Sequence, residues 1–241
     1  MIKYFVVNIL LIFDFFYQKK IINFLKKNFS IQHVIDVGAH KGETLSLFCK
    51  SFDLTSIFSF EASHKNFAIL KTKAKQISIN NPNVIIEIQN IALGKVARQA
   101  NFYQLYESSS STFNSINTKS KYYNRKKKIL GFGTHDNFFE VSKIGIITLD
   151  QYFKKNNLNN ISLLKIDTEG FEYEIIQGAQ ESLKKIKLIL FEHHYDDMIN
   201  KNYTFSDIND FLKKNKFKKI FKSKMPFRKT FEYIYQNIHY T

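Results

Sequence analysis

The chain is short of thiols. Its 241 residues include one cysteine, Cys49, so no intramolecular disulfide can form. No Cys/His spacing resembles a zinc site, and Cys49 falls early in a helical pattern, where core packing outweighs nucleophilic chemistry. A reducing cytosol is the expected compartment. Long apolar runs are lacking too: the stretch from Ile2 to Tyr17 is interrupted by Lys3, Asn8 and Asp14 and is shorter than the ~20 residues of a spanning helix. No small-residue cleavage site follows, which argues against a secretory signal. Lys19, Lys20, Lys26 and Lys27 come next, so residues 1–30 are read as a helical extension packed on the domain or on a partner subunit, with peripheral membrane contact as the alternative. Acidic residues are scarce as well: 21 Asp and Glu face 36 Lys and Arg, a formal net charge of +15. The lysines are spread over many segments and form no stripe, so nucleic acid is not the favoured partner.

What is present is alternation. Short β-branched or aromatic runs near residues 33–37, 56–60, 84–89, 162–166 and 187–192 are separated by amphipathic stretches near 43–51, 64–79, 171–184 and 205–215. This is the pattern of parallel βαβ units in a doubly wound α/β domain, assigned to residues 31–241. Phe217–Lys222 and Thr230–Gln236 flank Met225-Pro226, a connection too short for a crossover, and predict an antiparallel C-terminal pair. An insertion over about 95–160 lacks a simple helical period and is expected to cover the ligand edge. Within it Ala100–Leu105 and Glu140–Thr148 read as extra strands, and Leu149–Lys155 as the start of a helix. Ser108–Thr112 reads as a flexible polar loop and Tyr122–Lys128 as a solvated basic loop.

The first strand runs into Asp36-Val37-Gly38-Ala39-His40-Lys41-Gly42, a turn able to bring backbone close to a ligand at a helix N-terminus. It lacks the Gly-x-Gly-x-x-Gly register that wraps a pyrophosphate, and no Gly-Lys-Ser/Thr follows a strand, so nicotinamide enzymes and Walker-type nucleotidases are disfavoured. Glu61 ends the second strand, where its carboxylate can accept ribose hydroxyls. Asp36 lies at a strand end, positioned to receive a ligand ammonium or to brace the turn by accepting backbone N–H bonds. His40 is read as incidental.

The turn, Glu61, Asn90-Ile91-Ala92-Leu93-Gly94, the serine loop before Leu149-Asp150, and Lys165-Ile166-Asp167-Thr168-Glu169-Gly170-x-Glu172 occur in one order. Together they resemble the FkbM-type S-adenosylmethionine-dependent methyltransferases over about residues 31–236. The resemblance implies a Rossmann-like, mostly parallel seven-stranded sheet ending in an antiparallel hairpin. It also implies S-adenosyl-L-methionine across the first three strand ends: Asp36, Gly38, Ala39 and Gly42 around the methionine moiety, Glu61 on the ribose, and Asn90 beside the adenine. The implied activity is methylation, with a hydroxyl of a glycan, glycolipid or secondary metabolite as the expected acceptor. Nucleic-acid amine methylases usually carry Asn/Asp-Pro-Pro-aromatic after the fourth strand, where this chain has Asp167-Thr168-Glu169-Gly170.

Asp167 emerges at the end of the fourth strand, opposite the expected methyl, and is the leading catalytic candidate, with Glu169 assisting. Helix capping and loop bracing are the competing roles for this pair. His193 or His194 is a candidate base, and because neighbours on an extended segment point opposite ways, only one can face the acceptor. Asp167, Glu192 and a histidine could surround a divalent ion, but their spacing does not specify one, so no metal is assigned.

Overall fold

The computed structural model describes residues 17–105, 110–130, 139–226 and 228–240. The apolar N-terminal stretch before Tyr17, and Ser108 and Ser109 of the serine loop, lie outside the described residues.

Strands alternate with helices as the apolar runs dictate: β1 (His33–Val37), α2 (Glu43–Ser51), β2 (Ser56–Phe60), α3 (His64–Asn80) and β3 (Ile85–Gln89) form the first half. A helix over residues 17–28, α1, precedes them. The insertion supplies β4 (Ala92–Leu93), β5 (Arg98–Leu105), α4 (Lys121–Leu130), β6 (Phe139–Ile147) and α5 (Leu149–Lys155). The chain then completes β7 (Ile161–Ile166), α6 (Glu172–Gln177), β8 (Ile186–His194), α7 (Phe205–Lys214), β9 (Phe217–Lys224) and β10 (Thr230–Asn237).

The main sheet has seven strands in the order β3-β2-β1-β7-β8-β10-β9, with β10 antiparallel to both of its neighbours and the remaining pairs parallel. The order reverses between β1 and β7, which opens a crevice at their carboxyl ends. One face of the sheet, with Ile35, Phe60, Ile166 and Phe191, packs on α5, α6 and α7. The other, with Val34, Ile57, Leu163 and Leu190, packs on α1, α2 and α3. Ile21, Ile22 and Leu25 bury the inner stripe of α1 there, and Tyr17 donates to the Ser223 carbonyl at 2.8 Å. Each such apolar side chain is worth ~1.5–3 kcal/mol when fully buried. No described helix is long and apolar enough to cross a membrane.

The insertion strands form a separate sheet, β4-β6-β5, laid over one face of the core. Two expectations are corrected. Tyr122–Lys128 is not a loop but the body of α4: Ser120 Oγ accepts from the Tyr122 and Tyr123 amides at 3.1 and 3.3 Å, and Tyr123 is buried against Leu105, Met198 and Ile199. The helix expected over 171–184 breaks after Gln177, and a short 3-10 turn follows at Ser182–Lys185. Gly178 causes the break's packing, since a Cβ there would sit 2.0 Å from the Gly94 carbonyl oxygen.

Candidate active site

The turn after β1 is built by backbone hydrogen bonds. Gly38 and Ala39 both donate to the Phe60 carbonyl, at 3.0 and 2.9 Å, which locks the turn to the end of β2. Gly38 has φ +81°, and a Cβ there would lie 1.9 Å from the Asp167 carbonyl oxygen, so only glycine lets the loop after β7 approach. Gly42, at φ +85°, turns toward Leu70 and Lys73 of α3 and does not line the cavity.

Glu61 is buried with its carboxylate held by two amides: His40 N–H donates to Oε2 at 2.8 Å and Ser63 N–H to Oε1 at 2.9 Å. Burial raises its pKa and these amides oppose the rise. A carboxylate offers about four acceptor positions, so Glu61 keeps capacity toward the cavity that it lines. Asn90 stands behind it, donating to the Glu61 and Ala62 carbonyls at 2.8 and 3.3 Å, and is not part of the cavity wall. Ile91, Ala92, Leu93 and Phe102 form that wall instead.

Asp36 is fully buried behind the turn and accepts no hydrogen bond from the backbone, contrary to the bracing role expected of it. Its partner is Lys165, directly across the β1–β7 register, with Nζ 3.1 Å from Asp36 Oδ1. The same ammonium donates to the Gly38 carbonyl at 3.3 Å and lies 3.6 Å from Asp167 Oδ2. Burial pushes the Lys165 pKa down, but Asp36 and Asp167 outweigh it and hold the ammonium protonated. Lys165 lines the cavity; nothing in the sequence pattern beyond its place in the motif had marked it.

Beyond Lys165 the chain makes a tight loop. Glu169 and Gly170 both have positive φ, +52° and +90°, and the loop is pinned by Glu172, whose Oε1 accepts from the Gly170 amide at 2.8 Å and whose Oε2 accepts from Tyr203 Oη at 2.5 Å. The insertion holds it from the other side: Thr112 Oγ1 donates to the Glu169 carbonyl at 2.7 Å, Asn114 Nδ2 to the Gly170 carbonyl, and Ser110 Oγ to Glu169 Oε1 at 3.3 Å. Residues 110–112 of the serine loop are therefore tied down by hydrogen bonds. Asp167 projects into the cavity with its side chain 40% exposed, and Glu169 lines the same cavity. Burial raises the Glu169 carboxyl to about 7, against the pull of the His194 charge.

The two histidines part company on β8. His193 faces the apolar layer, ringed by Tyr195, Tyr203 and Phe205 at centroid distances of 4.7, 6.0 and 5.7 Å. Burial, reinforced by the nearby Lys201 and His194 charges, lowers it to about 3, and it does not reach Asp167 or Glu169. His194 is the one that faces the acidic loop, 3.1 Å from Glu169 Oε2.

The resulting cavity measures about 330 Å³ and runs from Gly38, Ala39 and Glu61 to Asp167 and Glu169, with Gln18 of α1 also touching it. A carboxylate at the second strand end, apolar walls beside it and a glycine turn fit an adenosyl group with an amino-acid tail. Fold and cavity together are of the kind found in Rossmann-type methyltransferase domains. The chain belongs to the FkbM methyltransferase family, whose Methyltransferase FkbM domain matches residues 36–219. Among solved structures, a methyltransferase FkbM from Methylobacillus flagellatus is similar over 86% of this chain, at 13% identity and a TM-score of 0.56. The match spans 43% of that longer chain. Magnesium protoporphyrin IX methyltransferase from Synechocystis, solved with bound S-adenosylhomocysteine, shares the fold over 97% of this chain and 87% of its own, at 8% identity and a TM-score of 0.54. No curated protein matches the chain.

Proposed function

We propose that the protein is an O-methyltransferase acting on a hydroxyl of a glycan, glycolipid or secondary metabolite. The observation that carries this reading is the opposition, across one cavity, of the Glu61 end and the Asp167 carboxylate. S-adenosylmethionine supplies an electrophilic methyl when bound. Glu61 would accept the ribose hydroxyls, the Gly38-Ala39 backbone would hold the methionine end, and Ile91, Leu93 and Phe102 would keep water from the adenine. Lys165 fixes Asp167 at 3.6 Å, and Asp167 orients the acceptor hydroxyl and takes its proton. Asp36 acts through Lys165, Asn90 through the Glu61 loop and Gly42 through its contact with α3, so these are positioning residues.

The test combines calorimetry with a labelled methyl donor and a panel of glycan and lipid acceptors read by mass spectrometry. Glu61→Ala is expected to weaken S-adenosylmethionine binding about 10- to 100-fold, the loss of charge-assisted hydrogen bonds of ~1.5–3 kcal/mol. Asp167→Asn is expected to keep binding and lose at least ~100-fold in turnover. Absence of cofactor binding by the wild type would instead favour a catalytically silent protein of this fold.

A further inference from the structure

His194 closes β8 with its ring between two carboxylates. Nε2 lies 3.1 Å from Glu169 Oε2 and 2.9 Å from Glu192 Oε1, and one donor atom from each of the three residues lies within 4.8 Å of the others. The second ring nitrogen is engaged elsewhere: Nδ1 is 3.1 Å from Thr230 Oγ1 and 3.6 Å from Asp196 Oδ2. Keeping the ring proton on Nδ1 presents Nε2 as a lone pair, the arrangement by which an outer carboxylate or hydroxyl orients a metal-binding histidine.

The geometry around Nε2 suits a divalent cation in place of the proton that the two carboxylates favour on the ring. The atom is buried, yet neither nearby carboxylate stands in line to accept a hydrogen from it. Donor spacings of 2.9 and 3.1 Å match the edge of an octahedron with ~2.1 Å metal–ligand bonds, about 3.0 Å. Without an ion the two largely buried carboxylates are balanced by a protonated His194 ring, and a divalent ion would take the place of that proton.

We propose that Glu169, Glu192 and His194 form a binding site for a divalent cation of the Mg²⁺ or Mn²⁺ class. Two carboxylates and one imidazole suit such an ion and leave coordination positions for water or ligand. Glu169 also lines the cofactor cavity, so the ion adjoins the acceptor side. Its purpose rests on the methyltransferase reading: it orients the acceptor hydroxyl and lowers its pKa. The acceptor oxygen then bonds the methyl carbon, the S–C electron pair returns to sulfur, and the O–H proton passes to Asp167. The site is distinct from the grouping around Asp167 that the sequence suggested, because Asp167 is engaged by Lys165.

The full chain, stripped with chelator, is titrated with MnCl₂ by calorimetry and electron paramagnetic resonance, and S-adenosylmethionine binding is measured in parallel. One Mn²⁺ per chain is expected, bound at least 10-fold more weakly by Glu192→Gln and by His194→Gln, with cofactor binding retained. Should the variants not fold, spin-echo modulation of wild-type protein with Mn²⁺ is expected to show one directly bound imidazole nitrogen. No Mn²⁺ uptake by the wild type, uptake unchanged in both variants, or no nitrogen coupling would overturn the site and leave a protonated His194 between the carboxylates. Cofactor binding without Mn²⁺ uptake removes the metal alone, whereas Mn²⁺ uptake without cofactor binding removes the methyltransferase reading.

Discussion

Lys165 holds three groups with one ammonium: the Asp36 carboxylate, the Gly38 carbonyl and the Asp167 carboxylate. A buried charge with its partner removed is far more costly than the pair is stabilising. Lys165→Met is therefore expected to lose about 3–5 kcal/mol in urea unfolding, and the Asp36→Leu/Lys165→Met double variant to recover a large part of that loss. Equal and additive losses would mean the pair carries no coupling. The carboxylates of this site were legible one at a time, because each stands at the end of an apolar run. Their partners were not, since Asp36 meets Lys165 only through the parallel register of strands far apart in sequence. The pleat likewise implied that His193 and His194 diverge, but which of them faced the site depended on the side of the sheet taken by Leu190 and Phe191.

Among the elements, the strands were more legible than the helices of the insertion. Ser56–Phe60 is a short apolar run and becomes a buried strand, whereas α4 is hidden by its lysines and betrays itself only through Ser120 and Tyr123, whose contacts lie in other segments. The break after α6 is similar, for Gly178 has an ordinary φ and is required by a neighbour, not by its own backbone. Gly178→Ala is expected to destabilise the protein by about 1–3 kcal/mol, the usual result of overpacking, with a Cβ 2.0 Å from the Gly94 oxygen. Gly145→Ala serves as the comparison, its Cβ meeting Gln99 Nε2 at an ordinary 3.6 Å. Denaturant midpoints that fall equally for both variants would exclude the Gly94 contact as the cause.

At the scale of the whole molecule, the reversal of strand order between β1 and β7 explains why Glu61 and Asp167 share a cavity. The alternation of runs was enough to predict the parallel sheet and its closing hairpin; the small second sheet was not foreseeable, because its strands pair with one another and hide from the βαβ rhythm. Since the cavity joins both halves of the sheet, S-adenosylmethionine at a hundred times its Kd should stabilise the entire fold by ~2.7 kcal/mol. A thermal-shift measurement checks this, and an unchanged midpoint at that concentration would contradict it. The insertion also grips the Glu169 loop through Ser110, Thr112 and Asn114. On the proposed reading, acceptor choice and reactivity are therefore coupled through Glu169: a grafted insertion brings its own setting for that carboxylate, and a transplant meant to alter only substrate preference is expected to retune the chemistry along with it.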